Sequence, residues 1–117
     1  MSETDDQRTR RVLREHGLPD GLLPEGIIEG DVADDGRFWV QLPKTVERNH
    51  GGYRVRFQPR ISGTISHGTV RDLEGVHAKQ MLWLAVARIT AVGSTHLNFH
   101  VGQVTVKLAT AEFPFAG

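Results

Sequence analysis

The sequence predicts an all-β fold, a small antiparallel β-barrel or barrel-like sandwich carrying one N-terminal helix. Three observations carry that expectation. Beyond residue 26, apolar residues alternate with polar ones in short runs separated by turn residues, the period of half-buried strands. One segment, close to the N-terminus, has helix signals at both ends. The chain of 117 residues has the length of a single domain and shows neither an internal repeat nor a low-complexity stretch.

Taken in order, a polar tail over about residues 1–6 leads into a helix over 7–16, whose first turn reaches back to about Asp5. Asp5 and Asp6 suit the positive end of a helix, and Arg14 and His16 its last turn. Gly17 takes the left-handed position that closes a helix, and Pro19 blocks resumption. Val12 and Leu13 are the apolar residues here, so the helix can cover an edge but cannot make a core. Arg8, Arg10, Arg11 and Arg14 read as a solvated face, with an anionic-ligand patch as the alternative. Residues 18–26, LPDGLLPEG, continue neither helix nor strand, yet hold Leu18, Leu22 and Leu23. Prolines and glycines steer such a chain across a barrel mouth while the leucines drop in as a plug. A movable lid would use the same residues.

Residues 27–115 form the predicted barrel. Ile27 to Val32 and Arg37 to Leu42 flank Asp34-Asp35-Gly36, a tight-hairpin signal. Lys44 to Gly52 reads as a polar loop. Tyr53, Val55 and Phe57 share one face of the next run, and Ile61, Gly63, Ile65 and His67 share one face of another. Asp72 to Gly75 reads as a turn. Gln80 to Val92 is apolar on both faces, with Met81, Trp83, Ala85, Ala87 and Ile89 on one and Leu82, Leu84 and Val86 on the other. A helix of that length is the alternative, but the Thr90 and Val92 end and the flanking strands favour a strand buried on both sides. His96 to Val101 and Gln103 to Leu108 make a second hairpin around Gly102, and the tail Glu112-Phe113-Pro114-Phe115 packs down.

Composition narrows function. Fourteen basic and fourteen acidic side chains cancel, which speaks against a nucleic-acid partner. No cysteine is present, so disulfides and thiolate metal sites are excluded and the expected location is cytoplasmic. No run has signal-peptide length, and the longest apolar stretch, Met81 to Ala87, is far shorter than the ~20 residues of a membrane span, so no integral membrane segment is expected.

Four stretches, in order, resemble the plant family catalogued as domain of unknown function 538. They are HGLPDGLLPEGI from His16, DGRFWVQLPK from Asp35, Ile61-Ser62-Gly63-Thr64-Ile65-Ser66-His67-Gly68, and LEGVHAKQMLWL from Leu73. Glu112-Phe113-Pro114 is similar to the family's acidic-aromatic ending. The likeness runs from Leu13 to Phe115. Pro43-Lys44 is followed by Thr45-Val46, where plant members often have a cysteine. The resemblance implies a barrel-like β fold with an N-terminal helix. For function it implies a lipid-binding character likened to bactericidal permeability-increasing proteins, with esterase-like or pigment-related activity also claimed.

The preferred reading is a binder of a hydrophobic or amphipathic, lipid-like small molecule inside the barrel. Its expected contacts are Leu18, Leu22, Leu23, Trp39, Tyr53, Phe57, Ile65, His67 and Trp83. It requires a pocket of some ~300 Å³ or more. The alternatives are an enzyme, an esterase-like hydrolase or a cyclase with His67 as acid or base, and a self-associating module that forms homo-oligomers. Trp39 and Trp83 either line a cavity or fill a core. His96 and His100, four apart on one strand, lie ~13 Å apart, too far to share a metal. No cofactor or metal is expected.

Overall fold

The computed structural model describes residues 3–79 and 81–113. The helix α1 runs Asp5–Glu15, followed by a single 3₁₀ turn at Asp20–Leu22. Eight strands follow: β1 Glu29–Val32, β2 Arg37–Gln41, β3 Val46–His50, β4 Tyr53–Ser66, β5 Thr69–Lys79, β6 Trp83–Val92, β7 His96–Val101 and β8 Val104–Ala109. They form one antiparallel sheet in the order β1-β2-β4-β5-β6-β7-β8, with β3 beside β4. The terminal strands β1 and β8 do not pair, so the sheet is coiled but not closed. It is a barrel-like sandwich rather than a barrel.

Helix α1 begins at a Thr4 cap, whose hydroxyl accepts from the Gln7 N–H while the Gln7 side chain accepts from the Thr4 N–H. It ends at Gly17, φ +77°, with the Leu18 N–H bonded to the Leu13 carbonyl. The helix covers the open edge of β1. Asp5 accepts from the Gly30 N–H and Arg8 donates to the Gly30 carbonyl, so two edge groups find partners.

The hairpins β1–β2 and β7–β8 form where the turn signals place them. Elsewhere tertiary pairing changes the pattern. The expected polar loop over 44–52 contains β3, which pairs with the first half of β4. Two expected strands merge into the 14-residue β4. Pro59 is tolerated inside it because β4 changes partner there, from β3 to β2, while its pairing with β5 is interrupted between Phe57 and Ser62. Asp72 to Gly75 is no turn but an irregularity inside the 11-residue β5, with Asp72 at φ 53° and Gly75 at φ 91°.

The inner face of the coil holds one apolar core that includes Phe38, Val40, Val55, Phe57, Ile61, Ile65, Val86 and Phe99. The strand β6 is not buried on both sides. A register shift between Val86 and Arg88 turns Val86 and Ile89 inward, whereas Ala85, Ala87 and Arg88 are exposed. Met81 and Leu82 precede the strand and face solvent. Phe113 is buried; Gln80 and residues 114–115, included in the expected strand and tail, lie outside the described residues.

Candidate functional site

Leu18, Leu22 and Leu23 are 3%, 4% and 6% exposed and belong to the core. They are held there by a residue whose sequence reading fails. Arg10 is no solvated helix side chain: it is 2% exposed. Its guanidinium donates to the carbonyls of Asp20, Leu23 and Pro24 at 2.8, 2.6 and 2.7 Å, and to Asp6 at 3.1 Å. The 3₁₀ turn and the bend after it present those carbonyls inward, where a planar fork of donors can satisfy several at once. Burial lowers the Arg10 pKa, opposed by the nearby Asp6, Asp20 and Glu25 carboxylates. The other three arginines are engaged as well, Arg8 with Asp31, Arg11 with Glu3 and Glu15, and Arg14 with Asp20.

Beneath the leucines lies a void of about 10 Å³, lined entirely by apolar side chains including Leu13, Leu22, Leu23, Phe38, Phe57 and Phe113. Its volume admits about one water and no ligand. The interior is therefore packed in this state: of the described cavities, the one near the ~300 Å³ expected of a ligand-binding barrel, about 290 Å³, is bounded by Asp72, Ala87, Arg88 and His100 and lies outside the core.

Outside the same leucines is a cleft of about 220 Å³ bounded by Gly21, Leu23, Pro24, Glu25, Arg48, Asn49, His50 and Glu112. Leu23 thus walls both the polar cleft and the apolar void. His50 closes β3 and is 8% exposed. Its Nδ1 stands 2.7 Å from the Glu112 carbonyl oxygen. A carbonyl only accepts, so Nδ1 carries the proton in that bond and Nε2 of the neutral ring is left as an acceptor. Burial pushes the His50 pKa down, the Glu112 carbonyl bond opposes this, and the Arg48 charge adds to the lowering. The ring lies against Phe113 at 4.2 Å between centroids, tilted by 31°, and Phe113 in turn stacks on Phe99 at 5.3 Å. The cleft therefore offers acceptors from His50 and two carboxylates and donors from the Arg48 guanidinium and the Asn49 amide, and its lining has no serine, threonine or cysteine nucleophile.

The sequence-derived candidates divide. Leu22, Leu23 and Phe57 line the central void, and Ile65 is buried in the same core. Tyr53 is half-buried beside a second void of about 10 Å³ toward β7 and β8. Trp39 and Trp83 do not join the core, and neither lines any of the described cavities. Both lie on the outer face, Trp39 beneath Arg60 at 4.4 Å and Trp83 beneath Arg56 at 4.0 Å. Phe38 and Val40 take the inward positions of β2, which turns Trp39 out.

His67 is not inward either. Strand β4 ends at Ser66, and the chain reverses through His67-Gly68, leaving His67 exposed beside Gly17. An acid or base role in an apolar vessel has no vessel at that position. His96 and His100 are half-buried on β7, and among the described residues no group of three candidate ligands is placed to hold a metal. Sequence reading missed Arg10 and His50. A histidine directly before Gly51-Gly52, where a strand must reverse, was the available signal for the second.

The family profile described as "Protein of unknown function, DUF538" matches residues 9–114. An uncharacterised protein of Arabidopsis thaliana is 26% identical over 85 residues, which cover 71% of this chain and 50% of that protein. The chain thus spans about half the length of this relative. No solved structure matches. No helix among the described residues is long and apolar enough to cross a membrane.

Proposed function

The chain belongs to the DUF538 family of proteins of unknown function, and from that premise we propose that it binds an amphipathic, lipid-like small molecule at its plugged mouth. One observation carries the reading: Leu23 alone of the cleft's lining also walls the apolar void. A ligand whose polar end occupies the cleft has its apolar end directed at Leu22, Leu23 and Phe113. Those side chains must swing aside to admit it, so the leucine segment acts as a lid. Because the interior voids are only about 10 Å³ each, the standing cavity expected from the sequence is given up, and binding rests on admission by movement of the leucine segment.

The polar end follows from the cleft's chemistry. Two carboxylates, Glu25 and Glu112, face one guanidinium, Arg48, and the His50 Nε2 and the Asn49 amide add neutral polar groups. This favours an uncharged, hydroxyl-bearing headgroup over a carboxylate, which would meet Glu25 and Glu112. The test is calorimetric titration with a long-chain monoacylglycerol, the matching fatty acid and the matching alkylammonium, each below its micelle concentration. Saturable one-to-one binding of the monoacylglycerol is expected, weaker binding of the fatty acid, and a loss of about tenfold in His50→Phe, equivalent to one hydrogen bond. No saturable binding of any of the three, or binding indifferent to His50→Phe, overturns the proposal.

A further inference from the structure

Met81 and Leu82 join β5 to β6 and are 92% and 71% exposed, the most exposed large apolar side chains among the described residues. Behind them Lys79 and Trp83 pair across the hairpin. The Lys79 Nζ stands 5.5 Å from the Trp83 ring centre, and the Arg56 guanidinium 4.0 Å from it. Arg56 and Arg54 share one carboxylate, Glu47, at 3.2 and 4.0 Å. Lys79 has no ion pair among the described residues. The hairpin end is therefore two uncovered apolar side chains, then a half-buried tryptophan, then three cations against one anion.

We propose that this hairpin end docks the protein on an anionic lipid surface. Met81 and Leu82 enter the acyl boundary, Trp83 lies at headgroup level, and Lys79, Arg54 and Arg56 meet the lipid anions. The order of groups matches that of an interface, apolar, then amphipathic ring, then basic charge. Lys79 can hold its stem along the tryptophan while its ammonium stays in water. A folded protein partner fits less well, because two side chains are far short of the ~1,200 Å² that a stable interface buries. None of these residues borders the mouth cleft, so this inference and the ligand-binding reading stand or fall separately.

Cosedimentation of the full chain with vesicles tests it. Vesicles of phosphatidylcholine alone are compared with vesicles in which about a third of the lipid is phosphatidylserine, to which each basic residue near the surface adds about fivefold in affinity. Binding to the anionic vesicles is expected, falling as salt rises. The double variant Met81→Asp/Leu82→Asp should lose at least about tenfold of that binding, and Lys79→Glu at least about fivefold. Both should melt with the parent, since the substituted side chains are exposed. Failure of the parent to bind anionic vesicles overturns the inference, as does equal binding by the double variant. A concentration-dependent dimer that Leu82→Asp disperses overturns it too, by assigning the hairpin end to a second copy of this chain.

Discussion

Replacing Arg10 by alanine is the most severe single perturbation the structure offers outside the β core. Three carbonyls from residues 20, 23 and 24 converge on one guanidinium, with Asp6 as its counter-ion. A hydrogen bond to a charged group contributes about 1.5–3 kcal/mol, and alanine removes all of them together. Part of that loss is offset, because alanine no longer requires a guanidinium to leave water and the neighbouring cleft can rehydrate some of the carbonyls. The net cost should be about 3–5 kcal/mol, in the range of other broken buried ion pairs. That is a large share of a stability of ~5–15 kcal/mol. Urea denaturation followed by far-ultraviolet circular dichroism reads it directly; with a slope of about 2 kcal/mol per molar, the midpoint falls by about 2 M. Arg10→Met separates the contributions, since it keeps an apolar stem and loses the donors. If Arg10→Ala unfolds within about 1 kcal/mol of the parent, or Arg10→Met restores most of the loss, the hydrogen-bond clamp on the leucine segment is refuted.

Three further outcomes are expected. Leu22→Ala should cost about 2–5 kcal/mol in the same denaturation assay, because its side chain is 4% exposed and closes an already packed void; a cost near zero would mean the segment does not bury it in solution. His50, with its pKa lowered below the ordinary ~6.5, gives stability that is complete above that value and is lost as pH falls through it, since the unfolded chain takes up the proton first. Denaturation midpoints of the parent should therefore decline between about pH 7 and pH 5 more steeply than those of His50→Phe. Gly75→Ala should destabilise by about 2–4 kcal/mol, because Gly75 has φ 91° and a Cβ there collides with the Arg60 carbonyl oxygen on β4; a neutral melt would remove the irregular β4–β5 pairing from the account.

Features that depend on near neighbours were legible in the chain. The Asp-Gly turn between β1 and β2, the β7–β8 hairpin and the helix stop at Gly17 each rest on a few adjacent residues whose dihedral preferences are intrinsic. Alternation likewise identified Val55, Phe57, Ile61 and Ile65 as sharing the buried side of β4. The plant-family likeness, carried by four stretches in order, needed no structure.

Tertiary structure decided the rest, for two physical reasons. Alternation tells which residues share a face, but a bulge moves every later side chain to the other face; the shift near Val86 and the chain reversal after Ser66 set the orientation of Ile89 and His67. Where both faces of a strand carry large apolar groups, as with Phe38 and Trp39 on β2, the choice belongs to whatever packs opposite, and here the core took Phe38 while Arg60 covered Trp39. The second reason is long-range satisfaction of polar groups. An arginine on a short helix looks solvated until residues 20–24 fold back and present three carbonyls to it. A histidine in a polar run looks like loop until the Glu112 carbonyl, 62 residues away, accepts a hydrogen bond from its Nδ1 and Phe113 packs against its ring. Both residues border the leucine segment, and their partners lie where no local pattern points.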